Sequence, residues 1–179
     1  MYTMSGPPSE AVQGSLGCAG EGTVAARGGG DDVRLFAGAL HALQECAEGK
    51  YPAMRLAVAS SADTPLAVQC AKKSLSMLEV LPGLTFAELL ARDWPDGFEG
   101  NIQIGRSPPL SSNKTSHFTL LQKNTGIAFN RMLFFDDCGW SDNCEVVERG
   151  CPGVTTFKTP RGMQKEEWYA GLAKYATNH

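Results

Sequence analysis

The stretch "MLFFDDCGW" (132–140) runs four apolar residues straight into two adjacent carboxylates, Asp136 and Asp137. Two such charges repel each other and are costly to bury alone, so a positive partner is expected beside them. A carboxylate pair at a strand end suits a hard, oxygen-seeking cation. Mg2+ takes one or two protein carboxylates and fills its other positions with water and substrate phosphate. The same two residues would serve equally as caps of a following helix, facing solvent. Ser60 closes the apolar run "RLAVAS" just before a helix signal, where a hydroxyl and nearby N–H groups can hold a phosphate oxygen. A plain turn serine is the competing reading. Lys114 stands at a helix start, where the macrodipole disfavours a cation unless an anion lies nearby; a solvated surface lysine is the alternative.

The elements that must position these residues alternate along the chain. Apolar runs at 55–60, 101–105, 132–136 and 153–157 read as strands. Between them the sequence predicts helices. Asp63-Thr64-Pro65 opens one, with Leu66, Cys70, Leu75 and Leu78 inward. Thr85 and Glu88 form a capping box for "TFAELLARD". A helix over 114–126 ends at Gly126, and Asp142 caps another carrying Val146 and Val147. The last helix, roughly 163–176, puts Trp168, Leu172 and Tyr175 on one side as core. Strands separated by helices predict an α/β fold, a parallel sheet covered on both faces, with ligands beyond the carboxyl ends of the strands. Two of the best strands end there in Ser60 and in Asp136-Asp137.

Residues 1–32 differ from the rest. They hold eight of the 20 glycines and few large apolar residues, and no helix or strand period repeats, so they are expected to be loop or disorder, with the domain proper spanning 33–179. At 179 residues the chain is long enough for one domain with a real core. A net charge of −3 gives no electrostatic footprint for nucleic acid or an anionic membrane. No apolar run approaches the ~20 residues needed to span a bilayer. Six cysteines without a C-x-x-C pair read as reduced thiols, and the expectation is a soluble, cytoplasmic protein.

The order serine, lysine, Asp-Asp carries more than its parts. "AVAS", "SNKTSHFTLLQKNTGIAFNRMLFFDD" and Asn143 resemble motifs two, three and four of the haloacid dehalogenase superfamily, and more narrowly the magnesium-dependent phosphatase-1 family. The resemblance spans roughly residues 33–176. It implies a three-layer HAD-like (Rossmannoid) parallel sheet flanked by helices, and a Mg2+-dependent phosphatase working through an aspartyl-phosphate. Ser60 and Lys114 would hold the phosphoryl group, Asp136 and Asp137 the Mg2+, with Asn143 in support. The 53 residues between Ser60 and Lys114 leave little room for a large cap domain. Relatives suggest a phosphorylated small molecule such as a sugar phosphate, or a phosphotyrosine protein, as substrate. Where many members carry an arginine after the serine, this chain has Ser61.

The family's nucleophile, the first Asp of an Asp-x-Asp strand upstream of the serine strand, has no counterpart. Asp31 and Asp32 are adjacent and follow glycines rather than an apolar strand. "MYTMSGPPSEAV" resembles the stretch just after that first motif, so the expectation is an N-terminally truncated chain, inactive as it stands. The alternative is a catalytically dead form that binds phosphate or protein. A P-loop fails because Asn113 and Pro108 stand where its glycines belong. A response-regulator receiver would carry its acidic pair first along the chain, and a zinc site from Cys138, Cys144, Cys151 and His117 lacks any recognised spacing. His117 is expected to be packed under the 114–126 helix.

Overall fold

The computed structural model describes residues 5–178. The N-terminal methionines of the "MYTM" motif lie outside them. The chain forms two compact units.

The first unit comprises 1–35, 43–56 and 62–99. Here the glycine-rich segment departs from expectation. It is a three-stranded antiparallel sheet of β1 (Glu10–Ser15), β2 (Glu21–Gly28) and β3 (Asp31–Arg34), in the order β1-β2-β3. The glycines mark turns. Gly29 and Gly30 both have positive φ, 59° and 88°, the geometry of a tight two-residue hairpin. The buried positions of β2 are small residues, with the successive Ala25 and Ala26 both fully buried, so its hydrophobic signal is faint in the sequence. Asp32 pairs with Arg27 at 2.7 Å and Arg34 at 2.8 Å and is a surface ion-pair residue. The unit also holds α2 (Pro65–Met77), capped by the Thr64 hydroxyl, and α3 (Phe86–Ala91), whose Thr85–Glu88 capping box forms as expected. Between the two helices lies a small hairpin, β5 (Glu79–Leu81) with β6 (Leu84–Thr85).

The second unit comprises 36–42, 57–61 and 100–179. Helix α1 (Ala37–Ala47) begins in this unit and ends in the first. The expected strands are present and parallel. β4 (Val58–Ser60) pairs with β7 (Ile102–Ile104), and β8 (Leu133–Asp136) pairs with β9 (Thr155–Lys158). The expected single sheet is instead two separate parallel pairs. Among the described residues no strand hydrogen-bonds the second edge of β4 or of β8. The Ala59 carbonyl, on that outer edge, accepts from the Lys114 ammonium instead.

Three helices cover these pairs: α4 (Lys114–Thr125), α5 (Asn143–Gly150) and α6 (Lys165–Asn178). Phe118 of α4 meets Phe134 of β8 edge-to-face at 4.9 Å, and Val147, Cys151 and Val154 complete that core, against which Ala59 packs. On α6, Trp168 is buried against Phe135, and Gly171 lets the Phe135 ring lie against the helix backbone, where a side chain would collide. Trp168 is core, as its spacing predicts. No helix of the described residues is long and apolar enough to cross a membrane.

Candidate active site

Every candidate residue falls in the second unit, at the carboxyl ends of β4 and β8 or at the start of α4 and α5. Lys114 is the residue that joins them. Asn113 caps α4, its side chain accepting from the Thr115 N–H at 2.9 Å, and this fixes where the helix begins. The Lys114 side chain is buried. Its ammonium donates to the Ala59 carbonyl at 2.6 Å and lies 3.8 Å from Asp136 Oδ2. Burial pulls its pKa below the ordinary lysine value, while Asp136 and Asp137 act the other way. The expected positive partner of the acidic pair is therefore Lys114, and the reading of Lys114 as a solvated surface lysine does not hold.

The acidic pair divides its work. Asp136 Oδ1 accepts from the Cys138 N–H at 2.8 Å and from Asn143 Nδ2 at 2.9 Å, so one oxygen is held by the loop and the other faces Lys114. Asp137 is exposed and, among the described residues, accepts only from the Gly139 N–H, at 3.1 Å. Neither caps α5. Asp142 does, accepting from the Glu145 N–H at 3.0 Å and pairing with Lys158, which holds its carboxyl below the usual range. The cap reading thus fails for both residues: Asp136 faces a cation, whereas Asp137 faces solvent.

Among the described residues no group of three or more His, Cys, Asp or Glu is placed to hold a metal. Two carboxylates, one exposed and one with an oxygen free of the loop, fit Mg2+, which leaves most of its positions to water and phosphate.

Ser60 ends β4. Its carbonyl accepts from the Gly105 N–H at 2.8 Å and lies 3.1 Å from His117 Nε2. No hydrogen bond ties its hydroxyl among the described residues. The Ser61 carbonyl accepts from Arg106 Nε at 2.8 Å. A guanidinium carried at the end of β7 thus stands beside the serine turn, and its charge is among those felt by Lys114.

The sequence shows neither Arg106 nor the task of His117. His117 Nε2 also lies 3.1 Å from the Gly105 carbonyl, so one ring N–H bridges the ends of β4 and β7. The i, i+3 spacing of Lys114 and His117 on one helix face is the signal that would have linked them. Burial, then the neighbouring Lys114 charge, pushes the His117 pKa below 6.5. The unfolded chain therefore binds a proton that the folded one refuses. Stability is full above about pH 6.5 and falls as pH drops below it, toward the lowered folded value. His117→Gln, whose amide can still reach a carbonyl, is expected to flatten urea-derived stability between pH 7 and 5 relative to wild type. An unchanged slope would remove His117 from this role.

The human protein magnesium-dependent phosphatase 1 is 36% identical over 64 residues, which cover 36% of this chain and 34% of that protein. The match thus spans about a third of the human protein's length. The pattern of the acid phosphatase family matches residues 1–178, and the chain belongs to that family.

Proposed function

We propose that the second unit is the phosphate- and metal-holding part of a HAD-like, Mg2+-dependent phosphatase of phosphate monoesters. The observation that carries this reading is the buried Lys114 ammonium, held between the end of the serine strand and Asp136. Phosphoryl transfer asks mainly for positioning and for neutralisation of charge on the equatorial oxygens. Lys114 donates to one such oxygen and the Ser60 hydroxyl to another, with Arg106 as a second cation at the serine turn. Asn143 and the Cys138 N–H keep Asp136 turned so that Oδ2 stays toward the lysine. Mg2+, when bound by Asp136 and Asp137, would neutralise the phosphate further. The name of the human relative, a magnesium-dependent phosphatase, supports that choice of ion. Substrates are small phosphorylated molecules such as sugar phosphates, or phosphotyrosine proteins, and the free thiols suit a cytoplasmic setting.

A second reading has its own support. Among the described residues the site gathers two carboxylates, both engaged as metal ligands in the first reading, and no further one to attack phosphorus. A binding module that holds phosphate without turning it over fits that set equally well.

Both readings require Mg2+ and inorganic phosphate to bind together. The 179-residue protein is expected to melt higher with the two ligands than with either alone, and Lys114→Ala is expected to lose the phosphate-dependent part. A wild-type melting temperature indifferent to phosphate in the presence of Mg2+ would sink both.

A further inference from the structure

The serine turn carries a cation that no carboxylate claims. Arg106, two residues beyond the end of β7, is exposed, and its Nε–H donates to the Ser61 carbonyl at 2.8 Å. Among the described residues no ion pair or further hydrogen bond engages its guanidinium. Its root is held from two sides. The Gly105 N–H donates to the Ser60 carbonyl at 2.8 Å, and the Gly105 carbonyl lies 3.1 Å from His117 Nε2. With the backbone before it fixed and Nε anchored, the side chain has little freedom left to lose when it takes a ligand. A guanidinium is a planar fork with N–H donors on more than one edge, and the bond to Ser61 uses only Nε. The Nη1–Nη2 edge remains, and its spacing matches the two oxygens of a carboxylate.

Position decides what that edge can hold. Lys114 and Arg106 are anchored on the carbonyls that flank Ser60, those of Ala59 and Ser61. The anchors are two residues apart, so at most roughly 7 Å of chain separates them. Lys114 is 5% exposed, whereas Arg106 faces solvent. A phosphoryl group seated on Lys114 and the Ser60 hydroxyl therefore lies at the inner cation. Whatever the phosphate is attached to must leave toward solvent, where the outer cation stands. The Arg106 charge also reaches Lys114, so it aids the phosphate from a distance. One guanidinium offsets one charge, which suits a carboxylate better than a second phosphate carrying nearly two.

We infer that Arg106 is a specificity-determining residue that selects small phosphate esters bearing a carboxylate a short spacer from phosphorus. The inference rests on the phosphate-holding reading and narrows its small phosphorylated molecules to phosphorylated acids.

The test is calorimetric titration of the full 179-residue chain in the presence of Mg2+. Two non-hydrolysable probes of equal length are compared, 3-phosphonopropionate and propylphosphonate, which end in a carboxylate and a methyl group. Inorganic phosphate is the third ligand. Wild type is expected to bind the carboxylate probe about tenfold tighter than the methyl probe, the order of one charge-assisted pair in an open site. Arg106→Met is expected to bring that ratio close to one. Arg106→Lys keeps the charge without the fork and is expected to keep only a small part of the preference. The ratio is the readout because an Arg106 that merely braced the serine turn would weaken all three ligands together. A wild-type ratio near one, a ratio unchanged in Arg106→Met, or one fully kept in Arg106→Lys would each overturn the inference. If Arg106→Met does not fold, the wild-type ratio and the lysine variant still decide. Binding of inorganic phosphate without a preference between the probes sinks this inference alone. No binding of inorganic phosphate sinks the reading beneath it as well.

Discussion

Asp136→Ala is expected to lower stability at pH 7 by about 3 kcal/mol, the low end of the cost of removing one partner from a buried ion pair. The side chains of Lys114 and Asp136 are 6% and 12% exposed, so neither charge has ready access to water. Without Asp136 the ammonium keeps the Ala59 carbonyl and the more distant Asp137 charge, which is why the low end applies. The Cys138 N–H and the Asn143 amide also lose their acceptor. Urea denaturation reads this difference directly. A double variant with Lys114→Met should recover part of the loss, because it removes the stranded charge along with its partner. A loss under about 1 kcal/mol for the single variant would mean that water reaches Lys114 and that the pair is a surface contact of little value.

The second large effect concerns turnover. Given Mg2+ and 4-nitrophenyl phosphate, the 179-residue chain is expected to release no phosphate above the uncatalysed background. In the proposed reading Ser60, Lys114 and Arg106 grip a phosphoryl group, but gripping is not attack. A covalent route needs a carboxylate free to reach phosphorus. Asp136 is committed to Lys114 and the loop, and Asp142 to the α5 cap and Lys158. Asp32 belongs to the other unit and is paired with two arginines. Phosphate release that vanishes in Asp136→Asn would overturn this and place the release at this site. Retained binding without release is the expected outcome.

Much of the site was legible before the structure because its signals are local. Caps at Thr64, Thr85 and Asp142 and the left-handed Gly126 mark helix ends through chemistry confined to a few residues. The strands ending in Ser60 and Asp136 stand out by apolarity. The N-terminal sheet did not, because the buried positions of β2 are glycine, threonine and alanine and carry almost no alternation. Lys114 and Asp136 meet through packing of α4 on β8, which no local pattern encodes. His117 was expected as core, and burial hid its bridging of two carbonyls. The division of the strands into two pairs was hidden for a similar reason: each strand is apolar enough to be read as one, and pairing partners lie far apart in sequence.

That distance orders how the site assembles. Leu133 pairs with Thr155, whereas Val58 pairs with Ile102 across twice the sequence separation. Both aspartates and Asn143 lie within the shorter β8-to-β9 closure, and Lys114 precedes Asp136 by a similar separation. Loop-closure entropy therefore favours the cationic and acidic parts forming first, with the serine strand arriving on a surface already built. Until β4 arrives to offer the Ala59 carbonyl, the Lys114 ammonium has Asp136 and water as its partners, and it is desolvated only when the serine is delivered. The cost of burying the charge thus falls at the step that brings Ser60 to the lysine.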